Sequence, residues 1–362
     1  MAIFGRTGRV CFDWGGAMFK KMGEAKDRLL NYLIFCFQNT QSFKGFWKQF
    51  RSSCFVTIPN LANRIGIFVV VMLVGATGWL GAATPDKVPA ASPVLAVPEH
   101  AGMGQPFLVR LTSDLALEQV TMQWMGKKIV PSVSTWNNRH VALAMLGTDV
   151  LTIKPGPQSL EVRAMVGGEE RTWFRGIRIS SRSYPRQELT LPSKMVTPPE
   201  SELARIKKER VRAVAAKNFW SDKRMWQLPF HRPVPGKTTS SYGLRRILNK
   251  KPKNPHRGLD FRAATGSVVE AVAPGRVILA ESHYYAGNSI YIDHGNGVIS
   301  LYFHLSKFSV AHGDSVKKGQ KIGLAGSSGR STGPHLHLSI SVQGELVDPA
   351  PLFERSADEL LK

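Results

Sequence analysis

The pattern of apolar and polar positions divides the chain into five segments of different character. Residues 1–64 mix basic residues with short apolar runs, residues 65–83 carry no charged residue, and residues 93–181 alternate apolar and polar positions in short stretches. Residues 182–236 contain a basic run, and alternation returns over residues 237–355. Period-two alternation is typical of strands with one buried face, so the chain is predicted to be mainly β.

The uncharged stretch over residues 65–83 predicts a transmembrane helix. At about 1.5 Å per residue it is nearly as long as the ~30 Å hydrocarbon core of a bilayer. Basic residues outnumber acidic ones before it, so the positive-inside rule keeps residues 1–64 in the cytoplasm. We therefore expect a single-pass protein of the cytoplasmic membrane with its C-terminal domains exported. The alternatives are a cleaved signal peptide ending near Gly81-Ala82-Ala83 and a buried helix, which the absence of charge disfavours.

Two further segments lie between this helix and the C-terminal part. Short, regularly spaced strands over residues 93–181, separated by turns rich in Gly, Pro and Asn, predict a small β-sandwich of immunoglobulin-like type. In residues 182–236, Thr197-Pro198-Pro199-Glu200 is a helix-start signal followed by a basic run. We expect a charged helix there that links two β domains.

The formal net charge of +22, from 48 Lys and Arg against 26 Asp and Glu, indicates an anionic partner. Nucleic acid, anionic lipid and the bacterial wall all fit, because any polyanion attracts an excess of Lys and Arg. Trp220 and Trp226 near the basic run favour nucleic acid. Predicted export argues against it, which leaves the cytoplasmic membrane and the wall.

Candidate chemistry is concentrated in three short motifs of the last segment. They contain His256 with Asp260, then His304, then the pair His335 and His337. The period of two puts the paired histidines on one face of a strand. The three cysteines all precede residue 65, so an exported metal site must use His, Asp or Glu. Three protein ligands and an open fourth position are typical of catalytic zinc, and His256, Asp260 and one of the paired histidines meet that requirement.

In this order, the HxxxD, YxHL and HxH elements resemble peptidase family M23, the LytM or lysostaphin-type endopeptidases. The resemblance covers about a third of the chain. It implies a small antiparallel β domain that binds Zn²⁺ and hydrolyses peptide cross-links of bacterial peptidoglycan in wall remodelling. The zinc ligands that it implies are His256, Asp260 and His337, and the catalytic histidines are His304 and His335.

The same resemblance begins at the Ser-Tyr-Gly-Leu-Arg segment that contains Tyr242 and Arg245. We expect these two side chains to border the substrate groove, and the alternative is that they only pack and pair structurally. A regulatory partner of unknown identity stays open.

Two other functions are weighed against the peptidase. A non-catalytic LytM-type protein would bind the wall or activate another hydrolase, but such proteins usually lack a ligand and none is missing here. The turns at Ala273-Pro274-Gly275 and Gly313-Asp314 resemble those of biotinyl and lipoyl carrier domains. The hairpin-tip lysine of a carrier is not evident, and a carrier leaves the five ordered metal-type residues unexplained.

Overall fold

The computed structural model describes residues 92–362. The predicted cytoplasmic segment 1–64 and the predicted transmembrane helix 65–83 lie outside the described residues. Within 92–362, no helix combines the length and apolar character that a bilayer span requires. Strands far outnumber helices in this part of the chain, which confirms a mainly β architecture.

Residues 94–180 form two facing sheets. Their strands are β1 Val94–Ala96, β2 His100–Gly102, β3 Pro106–Ser113, β4 Leu117–Trp124, β5 Lys127–Ile129, β6 Val133–Trp136, β7 Arg139–Gly147, β8 Gly156–Val166 and β9 Glu169–Ser180. One sheet has the order β1-β3-β7-β6 and the other β2-β9-β8-β4-β5. Inward residues of both sheets, such as Leu111, Met122 and Leu160, are fully buried against one another. Each such side chain stabilises the fold by roughly 1.5–3 kcal/mol.

A short connecting region follows the two sheets. It consists of β10 Arg186–Leu189, the single-turn helix α1 Ser193–Val196 and the longer helix α2 Glu200–Lys217. Helix α2 begins after Pro199 and has two glutamates in its first turn and Lys217 in its last, which complements the helix dipole. Its buried Glu209 accepts hydrogen bonds from Arg205 Nε at 2.7 Å and from the backbone N of Tyr284 at 2.8 Å. The bond from Tyr284 joins the helix to the C-terminal domain.

The C-terminal domain is built on one large antiparallel sheet. Its elements are β11 Thr238–Ser240, β12 Arg245–Leu248, β13 Lys251–Pro252, β14 Leu259–Arg262, β15 Val268–Glu270, β16 Gly275–His283, β17 Gly287–Asp293, β18 Val298–Phe308, β19 Ser315–Val316, β20 Lys321–Ala325, β21 His335–Val342, β22 Glu345–Val347 and helix α3 Ala350–Glu354. The main order is β11-β14-β21-β18-β17-β16-β19, and β10, β12 and β13 form a separate small sheet.

Alternation along the central strands separates a core face from a polar face. On β14, Leu259 and Phe261 enter the core, and on β21 Leu336 and Leu338 do the same. The residues between them, Asp260 on β14 and His337 on β21, therefore point to the opposite face. The polar residues of three sequence motifs are thus collected on one side of the sheet.

The core of this domain also contains residues of the upstream sheets. Leu108 and Met145 are fully buried in the same apolar cluster as Phe261. The backbone N of Leu108 donates to the Leu360 carbonyl oxygen at 2.8 Å. The described residues accordingly belong to one compact unit.

A buried histidine closes the turn between β17 and β18. His294 is 0% exposed, its Nδ1–H donates to the Pro274 carbonyl oxygen at 2.7 Å, and its Nε2 accepts from Ser300 Oγ at 2.7 Å. Burial lowers the pKa of His294 to about 4, so the imidazole is neutral in the native state.

This histidine predicts a specific pH dependence of stability. Between pH 6.5 and about 4 the unfolded chain binds a proton at His294 that the native chain does not, so the free energy of unfolding falls as the pH falls. The loss reaches about 3 kcal/mol at the acid end, because each pH unit of such a difference is worth ~1.4 kcal/mol. Urea unfolding should be measured at several pH values between 7.5 and 4.5. The slope of the free energy of unfolding against pH should be shallower for His294→Gln than for wild type. The exposed His312→Gln variant serves as control, and equal slopes for His294→Gln and wild type would contradict the assignment.

Candidate active site

Strand pairing brings together three residues of types that bind metal ions, namely His256, Asp260 and His337. Asp260 on β14 lies directly opposite His337 on β21, and His256 precedes β14 by a tight turn. Gly258 is required in that turn because a Cβ there would lie 2.4 Å from the Leu338 carbonyl oxygen. His337 Nδ1 is 2.7 Å from Asp260 Oδ1, and His256 Nε2 is 3.0 Å from the same oxygen. All three residues are buried.

In His256 and His337, the ring nitrogen that points away from Asp260 carries the proton, because it donates a hydrogen bond. His256 Nδ1–H donates to the Ser241 carbonyl oxygen at 2.8 Å, which leaves Nε2 with a lone pair. Ser339 Oγ donates to the Arg257 carbonyl oxygen at 2.7 Å and therefore accepts from His337 Nε2–H at 2.9 Å, which leaves Nδ1 with a lone pair. The two unprotonated nitrogens are 2.9 Å apart. Such a contact repels unless a cation lies between them, so the donor set fits a metal ion.

The carboxylate of this cluster is held as an anion. Arg246 donates from its guanidinium to Asp260 Oδ2 at 2.7 Å, while Oδ1 faces the two histidines. Burial by itself would raise the pKa of Asp260, but its close polar contacts with His256 and His337 outweigh burial and hold the pKa well below its usual range. Burial, partly offset by Asp260, lowers the pKa of His337 to about 4. At neutral pH the cluster therefore contains the Asp260 carboxylate and a neutral His337 imidazole.

His304 is presented by a local irregularity of β18. Between the pairs Ile290–Tyr302 and Asn288–Leu305, β18 advances by one residue more than β17, which is the signature of a β-bulge. His304 adopts φ +64° there, in the left-handed region that non-glycine residues rarely occupy. Its Nδ1–H donates to the Ser328 carbonyl oxygen at 2.8 Å, so Nε2 is free to accept a proton. The bulge thus directs the His304 side chain into the cleft.

His335 completes the cluster at the start of β21. Its Nδ1–H donates to the Gly333 carbonyl oxygen at 2.8 Å, and its Nε2 lies 3.8 Å from Asp260 Oδ1. The ring centroids of His304 and His335 are 4.8 Å apart. Burial, together with the neighbouring histidines, lowers the pKa of His304 to about 3. The imidazoles of His304 and His335, each with a free Nε2, therefore border the candidate metal-binding triad of His256, Asp260 and His337.

A cleft of about 640 Å³ opens over these groups. Its lining includes His256, His304 and His337 together with the aromatic rings of Tyr285 and Phe303. The cleft is open to solvent at one side, which suits a polymer better than a small enclosed ligand.

The structure places the two predicted groove residues elsewhere. Tyr242 is 2% exposed, and its hydroxyl donates to the Leu346 carbonyl oxygen at 2.7 Å and accepts from the backbone N of Val150 at 3.0 Å. Arg245 donates to the Tyr184 carbonyl oxygen and does not line the cleft. Both therefore have the packing and pairing roles that were the alternative.

Sequence reasoning missed several residues that support the site. Arg246 binds Asp260, and Ser339 orients His337. Arg257 pairs at 2.9 Å with the buried Asp149 in the loop between β7 and β8. For Ser339 a signal was present, because it continues the period-two face of His335 and His337. The partners of Arg246 and Arg257 become visible only in three dimensions.

Comparison with known proteins agrees with this geometry. Peptidoglycan DD-endopeptidase ShyA of Vibrio cholerae serotype O1 is 46% identical over 94 residues, which are 26% of this chain and 22% of that protein. DD-carboxypeptidase/endopeptidase Mpg of Neisseria meningitidis serogroup B shows the same identity and the same shares. The chain thus spans less than a quarter of the length of these relatives.

A solved Pseudomonas aeruginosa structure assigned to peptidase M23 matches a longer part. It is 29% identical, with a TM-score of 0.50, and the match covers 66% of this chain and 92% of that one. The model of peptidase family M23 matches residues 254–349, the segment that carries all five histidine and aspartate positions. Residues 254–349 therefore form a domain of peptidase family M23.

Proposed function

We propose that the chain is a zinc-dependent endopeptidase that hydrolyses peptide cross-links of bacterial peptidoglycan. The observation that carries the proposal is the convergence of two imidazole lone pairs and one carboxylate oxygen beside His304 and His335 in an open cleft. The relatives ShyA, a peptidoglycan DD-endopeptidase, and Mpg, a DD-carboxypeptidase/endopeptidase, support this substrate.

Zinc is the ion that this donor set suits best. Two imidazole nitrogens, one carboxylate oxygen and no thiolate are typical of catalytic zinc, which keeps one position open. Donor atoms in a tetrahedral zinc site are about 3.3 Å apart. The distances of 2.7–3.0 Å found here need only a small outward shift of the side chains. When bound, zinc would polarise the scissile carbonyl and lower the pKa of a water molecule.

The two remaining histidines handle protons. Because Nδ1 of each donates to a backbone carbonyl, Nε2 of each is the basic atom. A neutral imidazole at this point accepts the proton that the attacking water loses, and the imidazolium then donates it to the leaving amine. Burial of His304 keeps it neutral over the whole physiological range.

Anchoring to the cytoplasmic membrane is part of the proposal. It is supported by the uncharged stretch at residues 65–83 and the basic residues that precede it. Anchoring would hold a wall-cutting domain close to its polymer and limit its reach. Cell fractionation tests it: full-length protein should sediment with membranes, and a soluble form beginning near residue 84 would show a cleaved signal instead.

The activity is tested with the purified full-length chain and isolated peptidoglycan. Mass spectrometry of the released peptides should show cleavage at one type of cross-link, and a bond between D-residues is the first to examine. A zinc chelator should stop release, and added zinc should restore it. Wall binding without any new peptide terminus would contradict the proposal and favour a non-catalytic role.

A further inference from the structure

Arg330 stands out among the cations of the cleft. It lies in the loop between β20 and β21, is half-buried, and holds its guanidinium carbon 4.6 Å from the ring centroid of Tyr285. Its backbone N donates to the Tyr285 carbonyl oxygen at 2.8 Å. Within residues 92–362 the Arg330 guanidinium forms no ion pair and no hydrogen bond, and none of its nitrogens is sealed from solvent. Arg330 is therefore a positive charge held in place with no anionic partner among these residues.

The other cations that line the cleft are already engaged. Arg246 is paired with Asp260, Arg257 is paired with Asp149, and Lys253 donates to the Val196 carbonyl oxygen. No aspartate or glutamate is among the residues lining the cleft. Burial and the charge of Arg246 both lower the pKa of Arg330, so the charged guanidinium is less stable in the cleft than in water. An anion in the cleft would remove that cost.

The same loop holds both candidate catalytic histidines. Two residues before Arg330, the Ser328 carbonyl oxygen accepts from His304. One residue after it, Ser331 Oγ lies 3.1 Å from His335 Nδ1. Ala286, next to Tyr285, accepts a hydrogen bond from the backbone N of His304. A group bound by Arg330 would therefore lie beside the reacting bond.

We propose that Arg330, oriented by Tyr285, binds a carboxylate that the substrate peptide carries next to the scissile bond. This inference rests on the proposed function and narrows it to acidic peptides. A planar guanidinium binds a carboxylate through two parallel hydrogen bonds, which fixes orientation as well as charge. Stacking on the tyrosine limits the rotamers of the arginine, so less side-chain entropy is lost on binding.

The test compares cross-linked peptide dimers released from peptidoglycan with the same dimers after carbodiimide coupling to ammonia, which converts carboxylates into carboxamides. The full-length wild type should cleave the acidic dimers with a kcat/KM about 10- to 100-fold higher, as expected for a hydrogen-bonded charge pair. Arg330→Gln should lose that preference by slowing on the acidic dimers alone, and Arg330→Lys should keep part of it. Arg276→Gln removes an exposed arginine outside the cleft and should behave like wild type.

Failures of the two proposals are distinguishable. If wild type cleaves both dimers equally well, or if Arg330→Gln slows on both alike, the carboxylate subsite is wrong while the endopeptidase stands. If wild type cleaves neither, the proposed function fails. The subsite is then judged by the binding of both dimers, labelled with a fluorophore, to wild type and Arg330→Gln. Equal affinities would overturn it.

Discussion

Replacement of His304 by Ala should leave the bound metal and the fold in place and lower the rate of peptidoglycan hydrolysis by about 10²- to 10⁴-fold, the range of a lost general acid or base. His304 is not part of the candidate metal-binding triad, and its outer nitrogen is fixed by the Ser328 carbonyl oxygen. The measurement is release of peptides from peptidoglycan at saturating zinc, alongside metal content and melting temperature.

Two further variants make this result interpretable. His304→Asn suits the backbone at φ +64° better than Ala, because Asn tolerates the left-handed region, and it should be equally inactive. His312→Ala removes an exposed histidine from a turn and should be fully active. Unchanged hydrolysis by His304→Ala would refute a catalytic role, and loss of metal would make His304 a ligand.

Replacement of His337 by Ala should abolish both metal binding and hydrolysis. It removes one of three donors and leaves His256 and Asp260 without the third corner of the site. We expect zinc affinity to fall by more than the 10- to 100-fold that is typical when only a hydrogen-bond partner of a metal ligand is lost. Competition with a chromophoric chelator measures that affinity, and peptide release measures the activity.

Ser339→Ala provides a graded control for the same site. It keeps the three donors but deletes the hydroxyl that accepts from His337 Nε2. Zinc affinity should fall by about 10- to 100-fold, between wild type and His337→Ala. If His337→Ala retained stoichiometric zinc, the third ligand would instead be His335, the choice that the residue pattern by itself leaves open.

Sequence reasoning reached the components of the site because two of them depend on short-range geometry. The HxxxD spacing and the period of two at His335 and His337 survive in the structure as a turn before β14 and one face of β21. Arg245 shows the limit of such reasoning. A shift of one residue along a strand exchanges the two faces, and the adjacent Arg246 is the residue that binds Asp260.

Other features depend on contacts far apart in the chain. The bulge that orients His304 arises from the pairing of β17 with β18, and no residue type in this part of the sequence indicates it. Tyr242 is buried where its hydroxyl bonds to Val150, in the loop between β7 and β8, and to Leu346. Residue patterns predict where a strand or helix lies and which of its faces is buried. Bulges and contacts between distant segments can be seen only in the assembled fold.

The apolar cluster beneath the large C-terminal sheet limits where the chain can be cut without loss of stability. Cutting the chain at residue 238 would remove five buried members of that cluster, namely Leu108, Met145, Trp226, Phe230 and Val234. At roughly 1.5–3 kcal/mol each, their loss approaches the ~5–15 kcal/mol that stabilises a typical domain. The residues before 238, in the upstream sheets and in the segment after α2, therefore complete the core of the C-terminal domain. Heating should melt both parts in one cooperative transition.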